Sequence, residues 1–308
     1  LKRWVGNPPH CWKAAHYWKA ARPESEARRG ASEGRRASVP SALVALTIWE
    51  ILWLAVVGLA AGTAGGFMGI GGSIIMIPAM AFLFHDRSWD NQHLYQASAM
   101  VVNFAVAVPA ASQHRRAGAV PSEFVRLFVP ATMVSIVAGV FISNLLASEG
   151  LRIVFAVFLV YVAATMGLRA WRGGSEDGSA SARISAPRVL AVGASTGVAG
   201  GVLGIGGGVV SVPLAHALCR LPLRQCIGAS ATAMVFSAPM GAAMKLWTLG
   251  DHGASWRTAV VMGLALAPTA MLGGHMGARM THRAPLGSLR VALSLLLLVM
   301  AGRMIGLY

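Results

Sequence analysis

From about residue 46 to the C-terminal end, the chain is a succession of apolar runs long enough to cross a lipid bilayer. Residues 151–168 carry one charge, Arg152 at the edge, and residues 291–302 carry none. A spanning helix needs roughly 20 mostly apolar residues. In hydrocarbon, only helices and closed barrels satisfy every backbone N–H and C=O. Only 12% of the 308 residues are charged, against about 25% in soluble domains. The expected fold is therefore all-α: a polytopic transmembrane helical bundle, multi-pass, in the cell (inner or plasma) membrane.

The net charge of +15 invites comparison with nucleic-acid-binding proteins, but its distribution argues otherwise. Residues 1–40 hold nine Lys/Arg against three Glu, and the other basic residues sit mostly in short connections between apolar runs. Cytoplasmic loops collect Lys and Arg in this way, and no basic stripe interleaved with aromatics is evident. No nucleic-acid partner is expected. Residues 1–40 have neither a usable period nor the apolar stretch of a signal peptide. They read as a disordered basic tail, with attraction to anionic lipid as a minor alternative. The sequence opens on Leu1 rather than Met, which leaves the native start open. Cys11, Cys219 and Cys226 lack CxxC spacing or a His cluster, so they read as free thiols, and no metal or cofactor is expected.

The second constraint is internal repetition. Residues 58–78, GLAAGTAGGFMGIGGSIIMIP, and residues 193–213, GASTGVAGGVLGIGGGVVSVP, share ten identities in 21 positions at an offset of 135. Further matches follow in order: Ala97-Ser98-Ala99 with Ala229-Ser230-Ala231, Phe104 with Phe236, Pro130 and Gly139 with Pro268 and Gly277, and Leu151-Arg152 with Leu289-Arg290. The pattern predicts two tandem homologous repeats, 46–172 and 188–308, joined by a polar cytoplasmic linker at 173–187. Each repeat opens with a Gly-interrupted stretch (about 46–84 and 188–218) and continues with three spans. These are 94–112, 123–147 and 151–171 in the first, and 226–247, 256–279 and 286–306 in the second. If each Gly-interrupted stretch crosses once, there are eight membrane segments and parallel repeats. If it crosses twice, there are ten and the repeats are inverted. Both arrangements compatible with the positive charge put the linker and the Arg115-Arg116 loop in the cytoplasm.

Gly69-Ile70-Gly71-Gly72 and Gly204-Ile205-Gly206-Gly207-Gly208 lie inside apolar stretches. Each helix-interior glycine costs about 1 kcal/mol relative to alanine, so such clusters predict broken helices. Broken helices in matching positions of two halves are the best sequence pointer to a transporter's binding site. A half-helix N-terminus there presents N–H groups and a positive dipole end to an anion. Competing readings exist. The GxGG resembles a dinucleotide fingerprint, but it sits between membrane segments and its second copy lacks the acidic partner. The Gly58/Gly62/Gly66 series and its partners fit close helix packing. The break could also be purely architectural.

The candidate substrate-lining residues are Gly69, Gly71, Gly72 and Ser73 in the first copy, and Gly204, Gly206, Gly207 and Gly208 in the second. Ser98, Asn103, Ser230 and Thr232 on the following spans could add hydrogen-bonding groups, with Ser237 beside them, although such hydroxyls often bond their own backbone. His275 reads as the only ionisable residue well within a span, a functional position by default. The extra glycine at Gly208, where the first copy has Ser73, predicts a more sensitive second break.

On the duplicated Gly-x-x-x-Gly-x-Gly-Gly…Pro stretch, the Ala-Ser-rich start of the next span and the Pro-x8-Gly pattern of each half, residues 48–306 resemble the sulfite exporter TauE/SafE family. One departure is Ser98-Ala99 and Ser230-Ala231 where the family often has Thr-Ser. The resemblance implies a membrane transporter of small anions such as sulfite, sulfonates or related organic anions, working as a secondary carrier rather than an enzyme. Its partners would be the anionic substrate and the bilayer. An enzyme would need clustered His, a nucleophile–base pair or paired carboxylates, whereas the nine His are scattered. A passive anion channel or an assembly factor remains compatible with the residues. Coupling ion and oligomeric state are not legible.

Overall fold

The computed structural model describes residues 47–171, 182–281 and 294–304 except 296 and 303. The basic tail, most of the linker and most of the expected last span, 286–306, lie outside them. Among the described residues the secondary structure is helical throughout: α1 (Ile48–Met68), α2 (Ser73–Leu83), α3 (Gln92–Arg116), α4 (Ser122–Asn144), α5 (Ser148–Trp171), α6 (Ala186–Leu203), α7 (Gly208–Cys219), α8 (Leu223–Thr248), a 3₁₀ turn (Leu249–His252) and α9 (Trp256–Met280). Seven of these helices are long and apolar enough to cross a membrane, whereas α2 and α7 are shorter.

Hydrogen bonds and ion pairs between helix ends fix the direction of the helices. At one end of the bundle, Thr47 caps α1 in a capping box with Glu50, and Glu50 pairs with Arg87, which follows α2. The chain therefore returns after α2 to the end from which α1 set out. At this first end Asn91 Nδ2 donates to the His252 carbonyl (2.8 Å), the Gln92 N–H donates to Ser148 Oγ (2.8 Å), and Arg152 pairs with Asp90 (2.8 Å). At the second end Thr281 Oγ1 donates to the Phe67 carbonyl (2.6 Å) and the Arg183 N–H to the Cys219 carbonyl (2.9 Å). Thus α1–α2 is a hairpin open at the first end, and α6–α7 is a hairpin open at the second. Each Gly-interrupted stretch doubles back, so the arrangement in which it crosses once does not describe this chain.

The hairpins are held by reciprocal glycine seams. α1 runs along α9, and α4 runs along α6. A Cβ at Gly62 would fall 2.8 Å from Ala270 Cα, and one at Gly66 2.8 Å from Gly274 Cα. In the other seam, a Cβ at Gly197 would lie 2.5 Å from the Thr132 carbonyl and one at Gly201 2.5 Å from the Ile136 carbonyl. α3 packs against both α8 and α9 through the centre. Large apolar side chains point outward, among them Val56, Phe141, Val157 and Leu264, as a lipid-facing surface requires. Trp49, Trp247 and Trp256 are exposed at the first end, where a membrane interface favours amphipathic rings. Cys219 and Cys226 are free and buried.

Candidate functional site

Both glycine clusters end a helix in the same way. Gly69 (φ +64°) and Gly204 (φ +73°) are left-handed caps whose N–H groups return to the Gly65 and Gly200 carbonyls. The next residue, Ile70 or Ile205, also donates to that carbonyl at 3.2 Å. This closes the last turn while the chain reverses, a geometry that favours glycine. Four residues, 69–72 and 204–207, separate α1 and α6 from α2 and α7, which have no side-chain cap on either N-terminus.

The two reversals meet in the middle of the bundle. A Cβ on Gly208 would lie 2.5 Å from the Gly69 carbonyl and 2.5 Å from Ile70 Cα, so backbone packs on backbone. Because the hairpins open at opposite ends, α2 and α7 point away from this meeting place, and both direct their N-termini towards it. Each aligned helix places about half a positive charge at its N-terminus.

The Asn103 side chain of α3 is wedged between the reversals. Its Oδ1 lies 2.9 Å from where a Cβ of Gly71 would stand, and its Nδ2 lies 3.2 Å from the corresponding point at Gly206. The opposite wall is Met234 of α8, whose Cε lies 2.7 Å from the Gly71 point. Asn103 is fully buried, and neither polar atom of its carboxamide has a hydrogen-bond partner. Ser73 Oγ, Thr196 Oγ1 and Ser237 Oγ are likewise buried and unpartnered. A buried amide or hydroxyl left unpaired costs about 1–3 kcal/mol, and here four such groups belong to the reversals or to the helices against them.

Of the residues expected from sequence, Gly71, Gly72, Ser73, Asn103, Gly206 and Gly207 belong to this centre or border it, and Gly69 and Gly208 form the backbone contact beneath it. Gly204 packs against Gln96, whose Cγ lies 2.6 Å from a Cβ placed there. Ser230 Oγ donates to the Gly69 carbonyl (2.6 Å) and so anchors the first reversal to α8. Three residues are engaged elsewhere. Ser98 Oγ donates to the Leu94 carbonyl (2.9 Å), Thr232 Oγ1 to the Gly228 carbonyl (2.8 Å), and His275 Nδ1 meets Gln113 Nε2 (3.2 Å).

His275 is not the only ionisable residue within a span. Lys245 of α8 and His93 and His114 of α3 are fully buried, while His275 is half-buried. Lys245 falls inside the expected 226–247 span, but close enough to its end to read as a loop charge. The helix continues to Thr248, and only the tertiary fold encloses the ammonium.

The family described as "Sulfite exporter TauE/SafE" matches residues 54–304. A "Probable membrane transporter protein" of Haemophilus influenzae is 27% identical over 82% of this chain and 96% of its own length. The "Probable membrane transporter protein YunE" of Bacillus subtilis is 25% identical over 75% of this chain and 88% of its own length. The "Probable membrane transporter protein MamO" of Magnetospirillum gryphiswaldense is 24% identical over 79% of this chain. The match spans 43% of that protein, less than half its length. No solved structure matches the chain.

Proposed function

The chain belongs to the sulfite exporter TauE/SafE family, and from that premise we propose that it is a secondary carrier of small anions, such as sulfite, sulfonates or related organic anions, and not an enzyme. The observation that carries this reading is the buried, unpartnered Asn103 carboxamide between two chain reversals. Two helix N-termini without side-chain caps bring free N–H groups there, the groups that hold anions at sites built without a formal cation. Asn103 Nδ2 and the hydroxyls of Ser73, Thr196 and Ser237 supply donors that a small oxyanion can satisfy. Sparse, precisely placed donors in a low-dielectric centre bind an anion without a permanent ion pair, so release stays possible.

Residues 46–172 and 188–308 act as inverted repeats in this reading. The opposed hairpins support it, because rocking one half against the other exposes a central site to each side in turn. With the basic tail left out of the count, the second end faces the cytoplasm in this reading, since Arg115, Arg116, Arg183, Arg188, Arg220 and Arg224 belong to it. The test is radiolabelled sulfite and sulfonate flux in proteoliposomes. A carrier accumulates substrate against its gradient when a coupling gradient is imposed. Equilibration that never exceeds the outside concentration under any imposed ion gradient would mark a channel, and no flux of any such anion would refute the proposal.

A further inference from the structure

At the first end of the bundle the structure encloses a cation with no carboxylate. Lys245 is fully buried, and no acidic side chain pairs with it among the described residues. Its three N–H groups are all taken, by Ser143 Oγ (2.7 Å), His93 Nδ1 (2.9 Å) and Asn144 Oδ1 (3.3 Å). With no donor to spare, it is poorly placed to hold an anion itself.

The imidazole fixes the proton count. His93 Nε2 lies 3.1 Å from the Leu146 carbonyl, which can only accept, so Nε2 carries a hydrogen. Nδ1 then presents its lone pair to the Lys245 ammonium. The shared proton can sit on Nζ or pass to Nδ1, breaking the Nζ–H bond and forming Nδ1–H, and either way the pair holds one positive charge. A second proton would set two cations 2.9 Å apart inside the protein, at a Coulomb cost of about several kcal/mol even with an effective dielectric of 20. Loss of the proton leaves two neutral groups. The other groups facing the pair do not neutralise it. The half-buried His252 ring stacks on His93 with centroids 3.7 Å apart. Asp90 is committed to Arg152 (2.8 Å), and Glu149 and Asp251 are exposed.

This pair is wired to the second reversal. Ser143 Oγ, which accepts from Lys245, donates to Gln96 Oε1 (3.3 Å), and Gln96 Nε2 donates to the Val202 carbonyl (3.1 Å), two residues before Gly204. The wire joins α8, α4, α3 and α6, so the proton state of the pair bears on how the α6–α7 hairpin is held. We propose that Lys245 and His93 form a one-proton site that couples anion movement to a proton gradient. This rests on the carrier reading above.

The probe is methanesulfonate, whose own acid stays ionised and carries no proton. In proteoliposomes, labelled methanesulfonate is followed both in exchange at equal pH and in accumulation driven by a pH gradient of either sign. Lys245→Met should lose accumulation by about tenfold or more while exchange stays within about twofold of the unmodified chain. Retained accumulation would overturn the proposal. So would parallel loss of both activities in a variant with normal membrane abundance. If the unmodified chain exchanges no anion, the carrier reading fails instead, and the site is then judged directly. Side-chain nitrogen NMR of the purified full chain should show the pair losing a single proton across the titration. Doubly protonated His93 beside a charged Lys245 would refute the site.

Discussion

At Gly71 an added methyl group would stand 2.7 Å from Met234 Cε and 2.9 Å from Asn103 Oδ1, whereas at Gly206 the nearest atom is Asn103 Nδ2 at 3.2 Å. Both backbones are left-handed, which costs an alanine about 1–2 kcal/mol. Gly71 adds steric conflict to that strain. Gly71→Ala should therefore lower both thermal stability and flux more than Gly206→Ala does, measured by melting in detergent and by proteoliposome uptake. This reverses the order suggested by the extra glycine of the second copy, because space around each reversal is set by α3 and α8 rather than by the local glycine count. The glycine clusters and Asn103 were legible because polar or helix-breaking residues stand out against an apolar run. The Lys245 cluster was not, since its members come from α3, α4 and α8 and only the fold brings them together.

The hairpins depend on the seams that glycine permits. Gly197 and Gly201 of α6 leave no room for a side chain against the α4 backbone, and Gly62 leaves none against α9. Gly197→Leu or Gly62→Leu should push these helices apart and destabilise the fold by about 1–3 kcal/mol, the usual cost of overpacking. Gly150 of α5, with nothing within 4 Å of its Cβ position, is the control. Gly150→Ala should leave the melting temperature unchanged or raise it, by at most about 1 kcal/mol of helix propensity. Equal destabilisation by all three would mean that the seams are not the source of the effect. Five of the expected spans reappear as α3, α4, α5, α8 and α9 with ends shifted by a few residues. Their existence follows from uninterrupted apolar length. Whether a Gly-interrupted stretch crosses once or returns depends instead on contacts such as Glu50 with Arg87 and Arg183 with Cys219, which no local pattern encodes.

For the whole molecule, opposed hairpins and the arginine-rich second end together define a sidedness. A cysteine at the exposed Ala117 of the α3–α4 connection should resist membrane-impermeant thiol reagents in intact cells. One at the exposed Asp86 should react, with both placed in a Cys11→Ser background whose remaining cysteines, Cys219 and Cys226, are buried. The opposite pattern would invert the orientation, and labelling of both from outside would break the two-ended arrangement. The central claim is that the reversals and Asn103 bind the anion, and Asn103→Leu tests it most directly. Replacing an unpartnered buried amide by an apolar side chain of similar size removes an unpaired polar group, so stability should hold or rise. Sulfite or sulfonate flux in proteoliposomes should fall tenfold or more, equivalent to about 1.4 kcal/mol of lost binding or barrier stabilisation. Normal flux in the folded Asn103→Leu protein would contradict the account.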